Sequence, residues 1–274
     1  NVWRLDLSEK IGASTSSVLT KLASLGGTGA NSRKFYNEPD VAKMKLNGKT
    51  VFAVSVGSGF RAHPMDKTIT DNFFVLVDDK PFSPLATTGP ETFSTITNAS
   101  LAEITISGSG VTQTNSIQDS GIRGWKVNFA NQGEKVLGTA LAFDGNITFT
   151  TLVPEVLASS SSGNIDQCAA PVTQSRFYAI DILSGGAGMD LDMDDDIDDN
   201  DIYTLTGTEI LGKPQVVFNP PVITPIVDDD GAETGKKSCS HPVDIRTGKK
   251  LSQTTGYEAC RLESVYWSDP ATQQ

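Results

Sequence analysis

Phe73-Phe74-Val75-Leu76-Val77-Asp78 sets five bulky apolar residues in a row before an acid, a run too short for a buried helix and rich in the residue types that suit a pleated strand. The same order, an aromatic two residues before an aliphatic, recurs in Val2-Trp3-Arg4-Leu5-Asp6-Leu7 and in Phe177-Tyr178-Ala179-Ile180-Asp181-Ile182. Trp125-Lys126-Val127-Asn128-Phe129 is a looser copy. The anchors Trp3, Phe74, Trp125 and Tyr178 stand 71, 51 and 53 residues apart. A β unit of about fifty residues is what a four-stranded propeller blade needs, and the longer first interval then holds an insertion. The expected fold is all-β and β-propeller-like, incomplete, with about four blades.

Composition agrees with many short strands joined by turns. The 274 residues include 25 Gly and 13 Pro, and the hydrophobic fraction is an ordinary 38%. Expected strands include Thr50 to Val56, and a hairpin whose arms, Val136 to Phe143 and Asn146 to Leu152, meet across Asp144-Gly145. Ser14 to Leu25 has apolar spacing suited to a short amphipathic helix ending at Gly26-Gly27. Ser159 to Gly163 reads as a surface loop, and Asn219-Pro220-Pro221 as an extended break. The abrupt strand-like start at Asn1 is expected of a fragment or a processed product.

The net charge is -11, and eight aspartates between Asp190 and Asp201 supply most of it, so the acidity is local. With no basic stripe to neutralise phosphates, nucleic acid is not an expected partner, and cations are. No apolar run reaches the length of a membrane span. Cys168, Cys239 and Cys260 lack a zinc spacing, and His63 and His241 lie far apart. In an oxidising compartment Cys239 and Cys260 would close a loop of about twenty residues, worth on the order of 3 kcal/mol; three free buried thiols are the alternative.

From Asp190 the chain reads Asp-Leu-Asp-Met-Asp-Asp-Asp-Ile-Asp-Asp-Asn-Asp. This is the register of an EF-hand loop, with side-chain oxygens at positions 1, 3, 5, 9 and 12 and an apolar Ile197 at position 8. Calcium takes six to eight oxygen ligands, which alternate residues of a tight loop can supply. The expected Ca²⁺ ligands are Asp190, Asp192, Asp194, Asp196 (through its carbonyl), Asp198 and Asp201, with Ile197 and Ile202 anchoring the loop. Two positions depart from the pattern: Asp195 stands where Gly supplies a left-handed turn, and Asp201 where a longer Glu binds with both oxygens. Asp228-Asp229-Asp230-Gly231 has no further ligands in register and reads as a turn. No nucleophile motif accompanies either histidine, and Gly57-Ser58-Gly59 lacks the rest of a phosphate loop, so it reads as a wide turn and no enzyme is expected.

Asn1 to Leu7, Val56-Gly57-Ser58-Gly59-Phe60-Arg61-Ala62-His63-Pro64 and Asp71-Asn72-Phe73-Phe74 together resemble the C-terminal domain of the PilC/PilY family of type IV pilus proteins. Gly124-Trp125, Glu134-Lys135-Val136-Leu137, Phe149-Thr150-Thr151 and Arg176 to Asp181 continue the likeness in the same order, over roughly residues 1 to 227. The resemblance implies the C-terminal half of a modified propeller, with an insertion at 188–205 and a less similar segment at 228–274. It also implies an exported, noncatalytic protein of the pilus tip or bacterial surface, acting in pilus assembly, retraction control and adhesion. Its partners would be pilin subunits or minor pilins, the N-terminal part of its own propeller, and a host or abiotic surface. The family's regulatory calcium loop precedes the strand resembled by Asn1 to Leu7, so it is distinct from Asp190 to Asp201. Other classes compatible with an exported β protein are a quinoprotein dehydrogenase, lacking here its Trp-docking repeat, and a carbohydrate-binding surface module.

Overall fold

A computed structural model describes residues 1–8, 16–82, 85, 93–107, 110–113, 115–154, 173–218, 220, 222–227, 231, 233–247 and 250–257. The chain forms two units. One comprises Asn1–Gln215 with Thr247–Lys250, the other Val216–Arg246 with Leu251–Gln274.

The first unit is a set of β-sheets. β1 (Val2–Ser8) pairs antiparallel with β2 (Ser16–Ser24). β3 (Asp40–Leu46) and β4 (Lys49–Gly57) form a hairpin across Asn47-Gly48, both in the left-handed region (φ 48° and 77°) that a two-residue turn needs. β5 (Asn72–Asp78) adds to β4, while β6 (Ile96–Thr97) joins β2 in parallel and completes the order β1-β2-β6. β7 (Ala102–Ser107), β8 (Gly110–Gln113) and β9 (Gly124–Asn128) extend the second sheet to the order β3-β4-β5-β9-β7-β8. β10 (Lys135–Val136), β11 (Leu141–Phe143), β12 (Asn146–Val153), β13 (Gln174–Asp181) and β14 (Tyr203–Gly207) form the third, where β10 and β11 both pair with β12. In the second unit, β15 (Gln215–Phe218), β16 (Val222–Val227), β17 (Glu233–Thr247) and β18 (Lys250–Tyr257) make a sheet in which β15, β16 and β18 pair with β17. The architecture is all-β and propeller-like, as expected.

β5 explains why its sequence is apolar at successive positions. All seven of its residues are buried, because both faces of its sheet are covered. Phe73, Val75 and Val77 belong to one core with Trp125, Val127, Phe149 and Tyr178; Phe74 and Leu76 belong to another with Leu22, Leu25 and Ile96. The first core is pinned by stacked rings: Phe73 and Phe149 lie 3.8 Å apart, and Phe149 and Tyr178 4.9 Å apart. Trp125 donates its Nε1–H to the Ile182 carbonyl at 2.8 Å.

Three sequence expectations change. Residues 16–24 are strand β2, not a helix, because Val18, Leu19, Thr20 and Lys21 pair with β1 and the buried Leu22, Ala23 and Leu25 reach the second core. β5 and β9 lie side by side in one sheet, with Val75 opposite Trp125, so the Phe74 and Trp125 copies do not mark separate blades. An aromatic two residues before an aliphatic marks a strand but neither its blade nor its burial, since Trp3, the first anchor, is 53% exposed. The expected hairpin forms across Asp144-Gly145 (φ 49° and 78°), but its first arm breaks into β10 and β11.

Trp3, Leu5 and Leu7 on β1 and Leu19 on β2 all project from one face of that hairpin and are exposed. On the other face Arg4 pairs with Asp6 and Asp78, each at 2.6 Å.

The Gly57 to Pro64 segment links β4 to β5 and lies against β10. A Cβ on Gly57 would come within 2.4 Å of the Val136 side chain, and one on Gly59 within 2.4 Å of the Val136 carbonyl oxygen. Both glycines are there so that the backbone can approach. The Val136 amide donates to the Ser58 carbonyl, and Arg61 donates to the Leu137 carbonyl at 2.9 Å.

Cys168, Cys260, Ser159 to Gly163 and Asp228 to Asp230 lie outside the described residues. The backbone of Cys239 lies in β17, opposite Ile223 of β16. Among the described residues no helix is long and apolar enough to cross a membrane.

Candidate metal centre

The acidic loop is launched from the end of β13. The Asp181 carboxylate accepts from the Ser184 amide and hydroxyl, both at 2.6 Å, closing a turn that brings Ala187 back beside Ile180. Gly188 then passes so close to Asn146 that a Cβ would sit 2.2 Å from its Oδ1. Met189 and Leu191 are buried at the loop's entrance and Ile202 at its exit. Ile197, expected as an anchor, is instead 52% exposed, because Leu191 and Ile202 already hold the loop at both ends.

Within the loop the carboxylates hold the backbone. Asp190 accepts from the Met193 amide (2.6 Å) through Oδ1 and from the Asp195 amide (3.0 Å) through Oδ2. Asp195 is left-handed (φ 69°), so it does what the usual glycine does, and Met193 is left-handed as well (φ 66°). Asp194 accepts from the Asp196 amide, and Asp198 caps the short 3₁₀ turn Asp199–Ile202 by accepting from Asn200. Asp201 is 1% exposed and acts as the hub. Its Oδ1 accepts from the Leu191 and Asp192 amides (2.7 and 3.2 Å) and its Oδ2 from the Asp198 amide (3.0 Å).

Of the six expected ligands, the structure brings carboxylate oxygens of Asp190, Asp192 and Asp194 within 4.8 Å of one another. Oxygens on one calcium ion lie on a sphere of radius about 2.4 Å and so are at most about 4.8 Å apart, which these three satisfy. Asp196, Asp198 and Asp201 are not part of that group, and the Asp201 oxygens serve the backbone. Partial desolvation first, then the charges of Asp194, Asp201 and Asp190, push the Asp192 carboxyl above its ordinary value. The chemistry on offer is a set of hard anionic oxygens open to solvent, suited to a hard divalent cation.

One tie was not legible in the loop's spacing: Asp199 Oδ2 accepts from the Val111 amide at 3.1 Å, joining the loop to β8. Only an account of which backbone amides at the β7–β8 edge lack a strand partner could have found it.

No protein-family model matches the chain. No curated protein matches it either. The crystal structure of the C-terminal domain of PilY1 from Pseudomonas aeruginosa is similar with a TM-score of 0.49 and 13% identity, over 87% of this chain and 48% of that one. The chain thus spans about half the length of that solved domain.

Proposed function

We propose that this chain is a noncatalytic part of an exported, type IV pilus-associated surface protein of the PilC/PilY kind, acting in pilus assembly, retraction control and adhesion, with the Asp190 to Asp201 loop ordered by Ca²⁺. The observation that carries the reading is the ordered series of motifs from Asn1 to Asp181. Their packing supports treating them as one signature rather than as scattered likenesses. Gly57 and Gly59 of one motif accommodate Val136 of another, and Asn72 of a third donates to the Val127 carbonyl and to Asn128 beside the Trp125 motif.

Partners on this reading are pilin or minor pilin subunits, the N-terminal part of the same propeller, and a host or abiotic surface. The calcium reading rests on the three converging carboxylates and on the left-handed Asp195. Eight carboxylates within twelve residues repel until a cation sits among them, so metal binding and loop order are coupled.

The test is deletion of the encoding gene, with the full-length protein tagged for detection in the complemented strain. Loss of surface pili, with tagged protein in the sheared pilus fraction, is the expected result. Normal piliation with the tag absent from that fraction would remove the pilus assignment.

A further inference from the structure

A second polar site lies away from the acidic loop. Segments 32–34, 60–66 and 69–71, together with Lys135, enclose a cleft of about 330 Å³, within the range of small-ligand pockets. Its floor holds Asp71, only 3% exposed. Asp71 Oδ1 accepts from the Ser58 hydroxyl at 2.7 Å, whereas Oδ2 meets no donor among the described residues. Oδ2 is open to the cleft, where a carboxylate oxygen can accept from a donor that enters.

The surroundings specify which donor. Asp71 already lies in the field of Lys135 and Arg33, and Lys135 is itself fixed by the Pro64 and Asp66 carbonyls at 2.9 and 2.5 Å. An incoming ammonium or guanidinium would be repelled by these two cations, so the matching donor is neutral, a hydroxyl. At the rim Lys34 stands over the Phe60 ring, 3.8 Å from its centroid, with no carboxylate partner among the described residues. His63 packs on the same ring at 4.7 Å. Ile69 and Phe60 give the cleft an apolar wall. In a chain of net charge -11 the cleft is not acidic: Lys34 and Lys135 line it with Asp66 and Asp71, and the charges of Arg33 and Lys67 act on it from close by.

We propose that this cleft binds an acidic sugar, a uronate unit, with one hydroxyl donating to Asp71 Oδ2, the carboxylate on Lys34 and His63, and the ring's C–H face against Ile69. The site is independent of the calcium loop and of the pilus assignment.

Titration calorimetry of the 274-residue chain with D-galacturonate and D-glucuronate tests it, with D-galactose and acetate as controls. At least one uronate should bind about tenfold or more tightly than either control, since each lacks one of the two anchoring interactions, and each is worth on the order of tenfold. Lys34→Gln removes the rim cation from an exposed side chain and should weaken uronate binding about tenfold with no change in thermal midpoint. Asp71→Asn presents a donor in place of an acceptor and should abolish binding. Absence of uronate binding overturns the proposal. So does equal binding of galactose or of acetate, as does unchanged affinity in Lys34→Gln.

Discussion

Glu134→Gln should destabilise the first unit by about 3–5 kcal/mol, the cost of breaking a buried charged pair by removing one partner. Glu134 is 1% exposed, and four donors converge on it. Oε1 accepts from the Thr151 and Tyr178 hydroxyls, both at 2.7 Å; Oε2 accepts from Asn131 Nδ2 at 2.8 Å and faces Arg176 Nη1 at 3.5 Å. A carboxylate can only accept, which suits four donors. A Gln amide must turn its NH₂ either toward Asn131 and the Arg176 cation or toward the two hydroxyls, which then lose their acceptor, and in both cases the Arg176 charge loses its counterion. The ring stack of Phe73, Phe149 and Tyr178 is untouched, so the loss isolates the polar network. Thermal melts followed by near-ultraviolet circular dichroism should show a midpoint lower by about 6–20 °C, at about 2–4 °C per kcal/mol for a unit of this size. Tyr178→Phe, which removes one donor and keeps the stack, should cost about 1.5–3 kcal/mol. A Glu134→Gln variant within about 0.5 kcal/mol of the parent, the range of an ordinary surface change, would refute the network's structural role.

Addition of about 10 mM Ca²⁺ should raise the thermal midpoint by several degrees if the loop binds with a Kd of about 10⁻⁴–10⁻³ M, because ligand at ten to a hundred times Kd contributes roughly 1.4–2.7 kcal/mol; an unchanged midpoint and a flat calorimetric trace count against the metal. Asp201→Ala should unlatch the loop, so hydrogen exchange at the Leu191, Asp192 and Asp198 amides should speed markedly while β12 and β13 stay protected; equal rates would mean that the hub is dispensable. Gly59→Ala places a Cβ against the Val136 carbonyl and should destabilise more than Gly57→Ala, whose Cβ meets a side chain, as read by chemical denaturation. Burial holds the Asp71 carboxyl above its ordinary value, against the pull of Ser58, Lys135 and Arg33. The native state therefore binds that proton more tightly than the unfolded chain, a contribution complete below about pH 3.9 and lost as pH rises through the higher native value. The midpoint of Asp71→Asn relative to the parent should accordingly climb between about pH 3.5 and 7, and a pH-independent difference would contradict it.

The strands most legible in the sequence were those with strong local causes. The Asp144-Gly145 turn declares itself, and the run from Phe73 to Val77 can only be a strand covered on both sides. In residues 16–24 and Leu25, the apolar Val18, Leu19, Leu22, Ala23 and Leu25 suit a helical stripe as well as a strand, and the choice is made by pairing with β1, which no local pattern contains. The fifty-residue rhythm misled for a related reason. Spacing along the chain does not say whether two similar strands stack in separate sheets or, like β5 and β9, lie side by side. In the acidic loop the period-two spacing identified Asp190, Asp192 and Asp194 as neighbours in space. It could not reveal that Asp201 spends its oxygens on backbone amides, since that depends on where the loop is folded back. The cleft around Asp71 left no trace in any motif, because segments 32–34 and 60–71 and the distant Lys135 meet only through the fold.

The bare apolar face of β1 and β2 has a colloidal consequence. Net charge of -11 keeps copies of this chain apart at low ionic strength, while Trp3, Leu5 and Leu7 on the edge strand β1, with Leu19 beside them on β2, present a wet, greasy surface. Salt screens the first influence and, when it is a sulfate or phosphate, strengthens the second. The two therefore act in the same direction as salt rises, and a preparation that is clear in dilute buffer is poised to self-associate in concentrated salt. Charge placed at Leu5 or Leu19, rather than further acid in the loop, is the direct means of keeping it dispersed.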